Sequence, residues 1–266
     1  MIEEPYRWVE AIKNRREYIE DQLERGSPIV LLSCAEGLLL LTVSSETRKV
    51  FEIYDRIAFA ALGHPADIER MRLAAIDLAH IEGFNRSVTD VSLRRLVNFG
   101  LSPALKNAFE QVFAAPFIVK MLLVELGESE EQDVIVKLDY DGSFGRSTRE
   151  RHEPFEVVAG QVAAEAEMGQ YLSAHNGDGR QPLGVALALA AKAWAAGQRR
   201  AAQSPAEAAE EQRGSAKIEE AELVKLLKDQ LKGRHVEAAL LDRQTGRPSK
   251  FRLLDEKEVR TALKDL

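Results

Sequence analysis

Apolar residues recur along the chain with two periods, and the changes of period divide it into blocks. From Tyr6 to Arg25, Val9, Ile12, Ile19 and Leu23 fall near one face of a helix, with Lys13, Arg15, Glu20 and Glu24 elsewhere. Pro5 suits its first turn, where a missing N–H is no loss, and Gly26 is a good terminator. PIVLLS (28–33) and LLLLTV (38–43) are continuous apolar runs around Cys34-Ala35-Glu36-Gly37, as expected of strands buried on both faces. KVFEIYD (49–55) alternates, with Val50, Glu52 and Tyr54 opposite Phe51 and Ile53, and RIAFAALG (56–63) closes a four-strand cluster.

Two helices are predicted next. Pro65 to His80 carries Ile68, Met71, Ala75, Leu78 and Ala79 on one side. A second runs to about Phe113 with Asp90 as N-cap, and Pro103 should interrupt it near Gly100-Leu101-Ser102. Three strands follow, FIVKMLLVEL (117–126), DVIVKLDY (133–140) and FEVVAG (155–160), the first two joined by the acidic loop Gly127 to Gln132. Helices are expected at 161–174 and 182–198. RRAAQSPAEAAEEQRGSAK (199–217) then has almost no large apolar residues and reads as a solvated loop or a frayed helix extension. A helix (218–232), two strands (235–242 and 249–254) and a last helix (255–265) end the chain. Strands in blocks separated by helix pairs predict stacked sheets flanked by helices, not alternating βαβ units.

Composition narrows the function classes. The 266 residues carry 36 basic and 43 acidic side chains, a net charge of −7, which argues against sequence-independent nucleic-acid binding. One cysteine, Cys34, excludes an intramolecular disulfide and a multi-cysteine metal site, and points to a reducing compartment. The longest apolar stretch, 28–43, is cut by Glu36 and Gly37 and falls short of the roughly 20 residues of a membrane span. Met1-Ile2-Glu3-Glu4-Pro5 has neither the basic nor the apolar part of a signal peptide, so a cytoplasmic protein is expected. Phosphate-loop, dinucleotide-loop, zincin and serine-elbow motifs are missing from the sequence, and its five histidines lack ligand-like spacing. No metal or cofactor is therefore expected. Trp8 and Trp194 read as packing anchors.

The block order, with RGSPIVLL entering the first strand and RKVFEIYDRIAFAALG later, resembles the proteasome subunit family, and within it the bacterial α type of the 20S core. The resemblance runs on through the helix pair 65–113, the Asp139-Tyr140-Asp141-Gly142-Ser143 turn and VEAALLDRQTGRPSKFRLL. It implies an α+β fold, a four-layer αββα sandwich with an extra N-terminal helix, as a single domain over 1–266.

In catalytic members of that family the nucleophile is an N-terminal threonine freed by cleavage after a glycine, with its own amine as base. That position falls on Ser27 of Gly26-Ser27-Pro28. The family's aspartate position falls near Val43-Ser44, where no Asp stands, and only the lysine is matched, by Lys49. The same lysine position serves activator docking in α-type members. The resemblance then implies a non-catalytic subunit. It would form a homomeric ring, of seven copies, stacked on a catalytic β-type ring and docking a ring-shaped ATPase or other activator. Lys49, Glu17 and Gly26 match the pocket that receives the carboxylate of an activator's hydrophobic-Tyr-any tail, for which a compact cation is suited. Residues 1–5 (Met1, Ile2, Glu3, Glu4, Pro5) fall where gated members carry a pore plug, and they predict a reduced or open gate. Tyr54-Asp55-Arg56, in a strand, is not the family's Tyr-Asp-Arg gating motif. Two alternatives stand beside this reading: a Ser27-dependent N-terminal-nucleophile hydrolase assisted by Lys49, and a peptide-binding ring without a β partner.

Overall fold

The computed structural model describes residues 4–45, 47–111, 113–148, 154–203 and 220–264. Two antiparallel five-stranded sheets face each other. Strands β1 (Ile29–Cys34), β2 (Gly37–Ser44), β8 (Phe155–Val158), β9 (His235–Asp242) and β10 (Phe251–Leu253) form the first, in the order β10-β9-β2-β1-β8. Strands β3 (Val50–Tyr54), β4 (Ile57–Gly63), β5 (Val119–Glu125), β6 (Val134–Leu138) and β7 (Phe144–Thr148) form the second, in sequence order.

The continuous apolar runs are explained by the layers. In β1 and β2 every residue is buried. Ile29, Leu31, Leu38 and Leu40 point between the sheets, whereas Val30, Leu32, Leu39 and Leu41 point at helices α5 (Val162–His175) and α6 (Leu183–Ala202). Helix α7 (Glu220–Gln230) and helix α8 (Glu256–Ala262) share that outer layer, giving Leu227 and Val259 to its core. On the other side α2 (Pro65–Asn85), α3 (Leu93–Leu96) and α4 (Ser102–Glu110) cover the second sheet through Met71, Ala75, Leu96 and Leu105. The architecture is the expected helix–sheet–sheet–helix sandwich.

Helix α1 (Glu4–Leu23) lies over one end of the sandwich, where Ile19 and Leu23 are fully buried in the core between the sheets. Polar contacts fix it to the second sheet and its helices. Arg15 donates to the carbonyls of Ala108 (2.9 Å) and Ala114 (2.8 Å), Arg16 meets Asp141 at 3.1 Å, and Tyr140 donates to Glu20 at 2.7 Å. Further towards its start Ile12 packs against that core, but Val9, expected on the buried face, and Trp8, expected to be an anchor, are half or more exposed. Trp194 is the anchor of the pair, with no exposed surface.

Several local expectations are corrected. The first four strands are not one cluster, because the 45–49 connection carries the chain from the first sheet to the second. Strand β7 was invisible to pattern, since FGRST offers one large apolar residue and lies at a sheet edge. Asp90 lies in a 3₁₀ turn (Val88–Asp90); the N-cap position is Ser92, and the Leu93 N–H, one of the donors without a partner inside the helix, donates to Glu125 at 2.7 Å. The interruption before Pro103 is a π-turn, Val97–Leu101, joining α3 to α4. Asp55 and Arg56 form the β3–β4 turn and do not lie in a strand. Residues 199–202 continue α6, and Arg199 is buried against Glu167 at 2.7 Å; residues 204–217 of the expected loop lie outside the described residues.

Candidate functional site

The candidate residues gather where α1 hands over to β1. Leu23 ends the helix and its carbonyl accepts the Gly26 N–H at 2.8 Å. A Cβ on Gly26 would lie 2.9 Å from Leu62 Cδ1 and 3.0 Å from the Leu23 oxygen, so a side chain there would push α1 off β4. Gly26 thus has a packing reason independent of any ligand.

Ser27 is buried, 8% exposed, in a chain of hydrogen bonds with one direction. The Thr42 hydroxyl donates to the Pro28 carbonyl at 2.7 Å, so the 3.3 Å contact between Thr42 Oγ1 and Ser27 Oγ must use the Ser27 proton. Ser27 Oγ in turn accepts from the indole N–H of Trp194 at 3.0 Å. The hydroxyl's proton and an acceptor lone pair are both engaged. Its partners are a hydroxyl and an indole, neither of which is a base, and its own nitrogen is a peptide amide. Lys49 is not among its partners. At the aspartate position, the buried Ser44 hydroxyl donates to the Thr47 carbonyl.

Lys49 stands one residue before β3. Its carbonyl accepts the Ala61 N–H at 3.1 Å, and Ala61 adjoins the Leu62 that packs on Gly26, so Lys49 and Gly26 flank the same stretch of β4. Burial lowers the Lys49 ammonium below the ordinary lysine value; Glu237 opposes this and Arg234 reinforces it. Among the described residues no carboxylate forms an ion pair with Lys49. Glu17 is exposed on α1 and pairs with Lys13 at 3.7 Å, an i,i+4 contact of small energetic weight. The structure therefore brings Gly26, Ser27 and Lys49 to one end of the sandwich, while Glu17 stays on the outer surface of α1. Of the gate residues, Glu4 and Pro5 begin α1, and Met1, Ile2 and Glu3 lie outside the described residues.

The residue that pattern reading missed is Glu237. On β9 it is 7% exposed and takes the N–H groups of Lys49 and Val50. Burial raises its carboxyl above the ordinary value against the pull of those two amides, Arg48 and His235. It also lines a groove of about 780 Å³ with Arg48, Arg234, His235 and, beneath them, Leu253 and Leu263. The signal was an acid set between apolar residues, Val236-Glu237-Ala238. Among the described residues no three His, Cys, Asp or Glu side chains gather as a metal site, and no helix is long and apolar enough to cross a membrane.

No family model matches the chain. Curated relatives do. It is 35% identical to the proteasome subunit alpha of Actinosynnema mirum over 71% of this chain and 68% of that one. It is 32% identical to the proteasome subunit alpha of Frankia casuarinae over 71% and 75%, and 34% identical to that of Paenarthrobacter aurescens over 51% and 57%. The aligned part thus spans between 57% and 75% of these relatives' lengths. With the α1-capped sandwich, this likeness has one meaning: the chain belongs to the proteasome alpha-subunit family.

Proposed function

We propose that the chain is a non-catalytic subunit of the outer ring of a 20S-type core. Seven copies of a single-domain chain would close the ring, stack on a ring of catalytic β-type subunits in the cytoplasm, and govern entry of proteins to be degraded. The observation that carries the non-catalytic reading is the condition of Ser27. Nucleophilic catalysis at this position needs a free α-amine as base and an available hydroxyl, whereas Ser27 has an amide nitrogen and a hydroxyl committed to Thr42 and Trp194.

Lys49 would receive the terminal carboxylate of an activator's tail, with Gly26 seating α1 close on β4 beside it and Glu17 at the rim on α1. A half-buried ammonium held below its ordinary pKa by burial gains much from an incoming carboxylate, because the medium around it screens weakly. Co-expression with a threonine-bearing β-type chain tests the assembly by native mass spectrometry. Stacked rings containing both chains, with residues 1–26 retained on this one, are the expected result. A product cut after Gly26 whose own peptidase activity is abolished by Ser27→Ala would overturn the reading.

A further inference from the structure

Lys49 precedes an edge strand of the second sheet, where a first residue ordinarily frays. What holds it comes from the opposite sheet. Glu237 shares its face of β9 with Ala239 and Leu241, which point into the core between the sheets, and its strand partner is Thr42. From there the carboxylate crosses to β3. Oε1 accepts the Val50 N–H at 2.8 Å and the Lys49 N–H at 3.1 Å, and Oε2 accepts the Lys49 N–H at 3.0 Å. Arg48 lies 3.7 Å away. The residue is thus gripped on both sides, its N–H by Glu237 of one sheet and its C=O by Ala61 of the other.

A buried carboxylate is a costly way to tie two sheets that already share an apolar core. An apolar residue at this inward position would pack without that cost, but would leave the Lys49 and Val50 amides unpaired. What the acid adds is a fixed backbone at Lys49, made of charge-assisted hydrogen bonds that are short and directional.

We propose that Glu237 is the positioning residue of the docking lysine: it sets the Lys49 backbone so that the ammonium faces an incoming peptide carboxylate. The inference rests on the docking role given to Lys49 above, and its test separates the two. The assembled core is titrated with a short labelled peptide ending Leu-Tyr-Leu, once with a free carboxylate and once as the C-terminal amide, and the ratio of the two affinities is read.

Lys49→Ala should bring the ratio to about one; if it leaves the ratio high, the docking role fails. Glu237→Gln keeps the reach but loses the charge, and Glu237→Asp keeps the charge but falls short of the amides. Each should lower the ratio by roughly tenfold through weaker binding of the free acid alone, with affinity for the amide unchanged. A purely structural loss would weaken both peptides together. If Lys49→Ala collapses the ratio while both Glu237 variants assemble and keep it, or weaken both peptides equally, Glu237 has no positioning role. Should Glu237→Gln fail to assemble, Glu237→Asp alone decides in the same way.

Discussion

By the resemblance, Ser27 and Lys49 match two positions that a catalytic relative would use together, and here their surroundings differ. Ser27 is sealed in a directed chain, Trp194 to Ser27 to Thr42 to Pro28, with its proton and a lone pair consumed by neighbours. Lys49 is held by its backbone on both sides, while no described carboxylate takes its ammonium. A hydroxyl that its neighbours satisfy has been absorbed into the structure. An ammonium whose backbone is fixed and that forms no ion pair with a described carboxylate, in a partly dry site, would suit an anion from outside. On the proposed reading, the same two positions would yield a strut and a receptor.

The comparison breaks most visibly at Lys49. Stimulation of peptide hydrolysis by an activator with a free C-terminal carboxylate should fall to about one-fold in Lys49→Ala, because removing one side of a desolvated charge pair costs on the order of 2–5 kcal/mol. Lys49→Arg should restore part of it, as the guanidinium keeps the charge but is larger and planar. Stimulation undiminished in Lys49→Ala, measured at activator concentrations near half-saturation, would make Lys49 an ordinary half-buried lysine.

Ser27 should respond in stability and not in turnover. Ser27→Ala leaves the buried indole N–H of Trp194 without its acceptor, a loss of about 1–3 kcal/mol. The thermal midpoint should drop by several degrees while peptide hydrolysis by the assembled core persists. Loss of hydrolysis from cores that still assemble would reverse the assignment and make Ser27 chemically active.

The layers were legible in the sequence because apolar runs report burial directly. β1 and β2, buried on both faces, read as unbroken apolar segments, and the α2 pattern through Ile68, Met71 and Ala75 matched its buried side. Which sheet a strand joins was not legible, since the 45–49 crossover has no periodicity of its own. The edge strand β7 gave no signal because FGRST offers one large apolar residue. At the site, Ser27 and Lys49 were found by resemblance to a family pattern, whereas Glu237 lies nearly two hundred residues from Lys49 and meets it only through the sandwich. Glu237, set between apolar residues of HVEAALLD, was the only trace, and it marks a buried group that something must satisfy. The Arg16–Asp141 and Glu20–Tyr140 contacts that seat α1 were equally hidden, being long-range pairs of residue types that are common on any surface.

The smallest effect belongs to the far end of the same strand. Ser27 enters β1 at the docking end, and Cys34 leaves it in the tight turn to Gly37, whose carbonyl accepts the thiol proton at 3.4 Å. Cys34 is 3% exposed, and burial pushes its thiol from 9.0 up to about 11. The folded chain therefore keeps the proton that the unfolded chain releases near pH 9. Stability is unaffected at neutral pH and declines as pH rises from about 9 towards 11. At pH 8 two units of pKa leave about one hundredth of the unfolded thiolate population, so disulfide exchange with a soluble aromatic disulfide should be at least roughly hundredfold slower in the native chain than in denaturant. Cys34→Ser should remove the thiol's share of the decline between pH 9 and 11 and leave the carboxylate-to-amide ratio at Lys49 unchanged. If instead Cys34 reacts rapidly in the native protein, or its substitution alters peptide selectivity, the two ends of β1 are coupled and the docking end does not act alone.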